Sequence, residues 1–193
     1  MIDKALAKHA QEFQRNINNH NYEVTDSGIE FVSAGVQVFG EYQDAYGTEK
    51  NLLPVQGLNH ILMVALSSTA KAPGFYLALY TNNFTPTAGL TASQFASTAG
   101  ELVSGAEGYS NATRRVWTPS AADGGAIDNY ATKAEFNIVT ASQITIRGAA
   151  LLTDQTKGST AGVIVSATRF TNDRIEYNGN VYQLGYRVRL QST

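Results

Sequence analysis

The sequence predicts a mainly β fold: an antiparallel β-sandwich, jelly-roll-like, with one packed helix and an N-terminal helical arm. Three observations predict it. Short runs of alternating apolar and polar residues recur through the C-terminal half, each closed by Gly, Asn, Asp or Ser. Asn178-Gly179 stands between two such runs, the pattern that most strongly marks a tight chain reversal. Nowhere do strand and helix patterns alternate as a parallel sheet requires. With 193 residues, 43% of them hydrophobic, the chain can bury a sizeable core. We divide it into an arm and linker over 1–56 and a sandwich over 57–193.

Asp3 can cap a helix over 3–18, where Leu6, Ala10, Phe13 and Ile17 recur at helical spacing. That stripe is too narrow to bury much alone, so the helix is expected to dock on its own domain or on a neighbouring subunit. "NNHNYEVTDSG" reads as a polar linker. Ile29/Phe31 and Val36/Val38 alternate around Ser33-Ala34-Gly35, which predicts a hairpin. Tyr42 and Tyr46 fall in a polar tail expected to run over a surface. Leu58, Ile61, Leu62, Ala65 and Leu66 then occupy i, i+3, i+4, i+7 and i+8, one broad helix face expected to close a side of the core. Pro73 ends that helix. In "GFYLALYTNN", Phe75, Leu77 and Leu79 point one way and Tyr76, Ala78 and Tyr80 the other, so the strand is expected to be central. Residues 82–108, rich in Thr, Ser, Ala and Gly, read as a long loop with one short helix at "TASQFAST". Strands follow at 114–118, 126–130, 134–139, 143–152 and 162–170. "RIEYNGNVYQLGYRVRLQ" reads as a closing hairpin, with Tyr182, Leu184, Tyr186, Val188 and Leu190 on its buried face.

Composition narrows the function. Only 16% of residues are charged, against ~25% in ordinary soluble domains. Such a surface suits a protein packed against neighbours, and equally a compact β protein rich in Ser and Thr. A net charge of -2 gives no electrostatic ground for nucleic-acid binding. The absence of cysteine excludes disulfides, thiolate nucleophiles and zinc sites of the Cys type. Charges within "MIDKALAKHAQEFQRN" interrupt any apolar leader, and no run approaches the ~20 apolar residues of a membrane-spanning helix. No membrane contact is expected.

No pattern for chemistry emerges. His9, His20 and His60 are far apart and match no metal-ligand spacing, and His60 is expected to flank the first turn of its helix. Ser110 lacks the glycine elbow of a nucleophile, and Lys157-Gly158-Ser159 does not follow a phosphate-loop pattern. Carboxylates are too scattered for a glycosidase pair or a calcium loop. Hence no cofactor, no metal and no enzymatic activity are expected. "ATRRVWTP" stands out: as a strand it places Arg115 and Trp117 on one face, Arg114 and Val116 on the other. Either this is an Arg-aromatic interface contact, or a buried Trp with an Arg across it. The ten tyrosines likewise suit subunit contacts or half-exposed strand pleats.

Four segments, in order, resemble small virion proteins of tailed bacteriophages, encoded among head and neck genes. They are "LNHILMVAL", "FYLALYTNN", "GYSNATRRVWTP" and "ITIRGAALLTDQTKGSTAGVIVSATRF", and the likeness spans residues 57–190. Phe75 stands where many such proteins carry tryptophan, and residues 1–56 lie outside the shared region. The resemblance implies a non-enzymatic structural role, foremost a capsid decoration or cement protein. Its partners would then be the major capsid protein and copies of itself, as a homotrimer on the capsid exterior, after synthesis in the host bacterial cytoplasm. Leu6, Phe13, Ile17, Tyr42, Tyr46, Arg114, Arg115 and Trp117 are the expected protein-interface residues. Two other roles compete: a neck, tail or baseplate component, or a carbohydrate-binding module using Tyr76/Tyr80 or Tyr42/Tyr46 as a platform.

Overall fold

A computed structural model of the chain describes residues 22–25, 28–31 and 36–192, with side chains over 37–191. The helix expected over 3–18, with Leu6, Phe13 and Ile17, lies outside the described residues. The chain divides into two compact units, one spanning Val38–Arg189 and the other Met1–Gln37 with Leu190–Thr193. In the smaller unit β1 (Tyr22–Thr25) pairs antiparallel with β2 (Gly28–Phe31), Tyr22 opposite Phe31. The sequence placed Tyr22–Thr25 in a linker and paired 29–31 with 36–38 instead. Both segments alternate weakly, and alternation alone does not choose a partner.

The larger unit is a β-sandwich, and the described residues are mainly strand. One antiparallel sheet runs β11 (Ile164–Tyr177), β10 (Gln143–Leu152), β5 (Tyr76–Tyr80), β7 (Arg115–Val116). The other runs β4 (Gly47–Lys50), β3 (Val36–Asp44), β12 (Val181–Ser192), β9 (Ala134–Val139), β6 (Gly108–Tyr109). A short strand, β8 (Ala126–Asp128), pairs with the far half of β12. The compact unit thus begins at Val38 and not at Gly57: β3 and β4, assigned to the arm, are sheet strands.

Period-two burial builds the core. On β5, Leu77 and Leu79 join Tyr42, Phe136, Tyr182 and Tyr186 in the main apolar cluster. Ala78 and Tyr80 belong to a second cluster with Ala150, Leu152, Ile164 and Ala167. The cover for that second face comes from the segment expected to be a long loop. There α2 (Ala92–Phe95), continued by one wide turn over Ala96–Gly100, buries Leu90, Ala92, Phe95 and Ala99. The helix lies in "TASQFAST", where a short one was expected; its apolar spacing i, i+3, i+7 at Ala92, Phe95 and Ala99 is what covers β5. Thr91 and Gln94 form a capping box that starts α2.

The Asn178-Gly179 turn forms, with Gly179 at φ 84°, where a side chain would be strained. Its two arms do not pair with each other. β11 pairs with β10, while β12 lies in the opposite sheet, so the turn is a corner between sheets. The Gly179 N–H donates to the Ile138 carbonyl of β9 at 3.0 Å, and the Thr140 N–H donates to Asn178 Oδ1 at 3.3 Å. Turn chemistry dictates reversal; the partner of each arm is set by burial.

The remaining helix, α1 (Val55–Leu66), docks by an edge that the apolar pattern did not mark. Gly57 is its one buried residue, and a Cβ there would overlap the Val165 carbonyl of β11. Glycine inside a helix costs about 1 kcal/mol in propensity, here offset by the close approach. Gly57→Ala is therefore expected to destabilise by ~1–3 kcal/mol, as overpacking against backbone does, despite alanine's better propensity. Urea unfolding measures it; a variant at least as stable as the parent contradicts the close packing.

Candidate interaction surface

The hydrogen bonds that place α1 are few and specific. The Val55 N–H donates to the Ala88 carbonyl at 3.0 Å. Gln56 Oε1 accepts from the Ala92 N–H at 2.9 Å and from the Ile164 N–H at 3.0 Å, joining α1 to α2 and β11. Leu52 exchanges backbone hydrogen bonds with Ala167, which closes part of the outer edge of β11. Of the row expected to face the core, Ile61 packs against the main apolar cluster, while Leu62, Ala65 and Leu66 are exposed. Leu62 is 55% exposed, Met63 51%, Val55 53% and Leu66 82%, while Leu58 and Ile61 are half-buried. Half-buried too, His60 sets its ring edge-on to Phe75, with centroids 6.2 Å apart.

The same side of the chain lacks charge. Residues 51–100 contain one charged side chain, Lys71, where the chain average of 16% would place about eight. That span includes α1, β5 and α2, and through Val55–Ala88 and Gln56–Ala92 the helix adjoins the 85–100 segment. Exposed polar residues of this span include the neutral Asn59, Ser67, Thr85, Thr87 and Ser93.

Elsewhere two buried arginines are held in ion pairs within the fold. Arg114 and Glu101 are both fully buried in a two-pronged contact, Nε to Oε1 and Nη2 to Oε2, each 2.8 Å. Arg114 Nη1 also donates to the Asp154 carbonyl at 2.9 Å, and Nη2 to that of Ser159 at 3.3 Å. The Gly158 N–H donates to Glu101 Oε2 at 3.0 Å, so the pair clasps the 153–163 loop. Lys157 of that loop lies 3.6 Å over the Tyr109 ring and donates to its carbonyl at 2.8 Å. Desolvation lowers the Lys157 pKa, opposed by the charge of Glu101. A second cluster centres on Arg174, which donates to Asp44 at 2.9 Å and to Glu49 at 3.1 Å between the Phe170 and Tyr46 rings. Tyr182 OH donates to the same Asp44 oxygen at 2.7 Å. Burial first, and the Asp44 charge second, hold the Tyr182 hydroxyl protonated far above the usual range.

The residues expected at an interface scatter across the core and surface. Tyr42, expected on a surface, is 1% exposed, with its hydroxyl 2.7 Å from Ser166 Oγ. Tyr46 is exposed and packs on Arg174. Arg114 is buried while Val116 is exposed, although a continuous strand would put them on one face. The strand is only Arg115–Val116, so the alternation does not extend to Arg114. Arg115 is half-buried, beside a buried Trp117 whose Nε1 donates to the Tyr186 carbonyl at 3.0 Å. Tyr42 and Trp117 both pack against one ring, that of Tyr186, with centroids 4.7 and 5.6 Å from it. Neither proposed sugar platform forms, because Tyr42 and Tyr80 are buried. The outward row of α1 was missed, although the uncharged span was its signal. Among the described residues no group of three or more His, Cys, Asp or Glu is placed to hold a metal ion. No family model matches the chain, and no curated protein matches it.

Proposed function

We propose that this chain is a non-enzymatic structural protein of a tailed-bacteriophage particle, a decoration or cement protein that binds the assembled head. The uncharged, partly apolar side over 51–100 carries the reading. Interface cores are depleted of charge, and this side shares that depletion and exposes Met63 with Leu62 and Leu66, while two ion pairs of the protein are spent on its own core. The segments that resemble phage virion proteins, 57–190, include residues 57–100 of this side. A cement protein works through several modest contacts at once, each raising the effective concentration of the next. Such contacts need a stiff scaffold, and the buried clasps at Arg114 and Arg174 supply one.

The test is copy number. Particles of the phage whose genome carries this sequence are purified, and the protein is quantified by mass spectrometry against the major capsid protein. We expect a ratio of the order of the capsid subunits themselves. A few copies per particle assigns the chain to the neck, tail or baseplate, and its absence from particles overturns the reading.

A further inference from the structure

We propose that Asn178 is a site of spontaneous covalent modification, held unreacted by the fold and released when the corner at Asn178-Gly179 opens. The proposal stands apart from the virion reading and holds or fails without it. The reaction needs only the chain and water. The Gly179 backbone nitrogen gives up its proton and attacks Cγ of the Asn178 carboxamide. A new C–N bond forms there, and the bond from Cγ to Nδ2 breaks and releases ammonia. Water then opens the cyclic imide at either carbonyl. One opening leaves aspartate; the other leaves isoaspartate, in which the main chain runs through the side-chain carbon. Glycine favours the attack because no Cβ crowds its nitrogen and its backbone turns freely. Of the chain's asparagines only Asn178 precedes glycine, and residues 177–180 are all exposed to water.

In the folded protein the geometry closes this route. The attacking nitrogen is already engaged, since the Gly179 N–H donates to the Ile138 carbonyl at 3.0 Å. The Ile138 N–H donates in turn to the Asn180 carbonyl at 2.9 Å, so one buried residue of β9 grips the turn twice, at Gly179 and at Asn180. The carboxamide is held separately: its Oδ1 accepts from the Thr140 N–H at 3.3 Å. Nitrogen and carboxamide must swing toward each other to react, and each is tied to a different residue of the 138–140 segment. Thr140 is itself placed by Glu107. Its hydroxyl donates to Glu107 Oε2 at 2.7 Å, and the Ala141 N–H donates to Oε1 at 2.9 Å. Glu107 is thus a positioning residue for the guard on Asn178. The product does not fit back. A carboxylate at 178 and that of Glu107 would both bind Thr140, where like charges repel. Isoaspartate also lengthens the main chain within the corner, so each opening that reacts is recorded permanently.

The test incubates the full chain at mildly alkaline pH, folded in buffer and, in parallel, unfolded in guanidinium chloride. Peptide mapping by mass spectrometry reads the exchange of ammonia for water at 178, and isoaspartate-specific enzymatic methylation reads the branched product. In the unfolded chain we expect Asn178 to convert ahead of every other asparagine. In the folded protein it should convert at least ~10-fold more slowly, as reactions confined to a locally opened fraction do. Glu107→Ala, at an exposed position, should raise the folded-state rate at 178 several-fold and leave the rates at the exposed Asn83 and Asn172 unchanged. Hydrogen exchange of the Gly179 amide in the unaltered protein gives a second readout that needs no variant: its protection should match that of Asn178. Protection of Asn178 below about tenfold overturns the proposal. So does a Gly179 amide that exchanges freely, a folded-state rate at 178 indifferent to Glu107→Ala, or an unfolded chain that leaves Asn178 intact.

Discussion

Replacing Arg114 by leucine is expected to remove ~3–5 kcal/mol of stability, the cost of leaving one member of a buried ion pair alone. Whole domains are stable by only ~5–15 kcal/mol, so this single variant should stand near the edge of folding. The geometry accounts for the size of the effect. Glu101 has no exposure, and both its oxygens point at the guanidinium. Without Arg114, its remaining described donor is the Gly158 N–H. Two loop carbonyls, Asp154 and Ser159, lose donors at the same time. Glu101→Leu alone should be severe for the mirrored reason. The double variant Arg114→Leu/Glu101→Leu should recover most of the loss, since a buried pair replaced by apolar side chains is often near neutral. It should not recover all of it, because the Gly158 N–H and the two carbonyls stay unpaired at ~1 kcal/mol or more each. Urea unfolding of the two single variants and the double one closes the cycle. A single variant within ~1 kcal/mol of the parent would show that water reaches the pair.

Much of the sandwich was legible because its strands obey a simple rule. The bounds expected for Ala134–Val139 and Gln143–Leu152 match the structure, and β5, apolar on both faces, is covered on both. Period two reports burial directly. What failed were inferences about partners. β11 runs on from Ile164 to Tyr177 through a register shift near Gly148, and the segments expected as two strands are one. The Asn-Gly signal gave the reversal but not the sheet change. For α1 only part of the expected apolar face meets the core, Ile61 and not Leu62 or Leu66, because a single glycine decided which edge could approach β11. Arg114 gave no local sign of burial. Its partner lies 13 residues upstream, in a segment whose composition reads as a loop.

Raising the pH should unfold the protein abruptly once it passes about 10, the ordinary tyrosine pKa. Tyr42, Tyr80, Tyr109, Tyr182 and Tyr186 are each no more than 3% exposed. Burial raises the pKa of all five, that of Tyr186 to about 12 even though Ser166 and Asn51 hydrogen-bond it. The direction follows from the acid form. The folded state keeps these protons above pH ~10 while the unfolded chain releases them, so the stability fully present below that pH is lost as pH climbs toward the folded values. Each such tyrosine contributes a slope of ~1.4 kcal/mol per pH unit, and five together ~7. A stability of ~5–15 kcal/mol is then exhausted within about one to two units. Tyrosinate absorbance and far-ultraviolet circular dichroism should change together, in one cooperative step. Tyr109 separates this cause from general alkaline damage. Its buried hydroxyl has no hydrogen-bond partner, so Tyr109→Phe should cost nothing at neutral pH and move the alkaline midpoint upward. Gradual titration near pH 10 with the sheet signal intact would mean that these rings reach solvent, and an unmoved midpoint in Tyr109→Phe would remove that ring from the set.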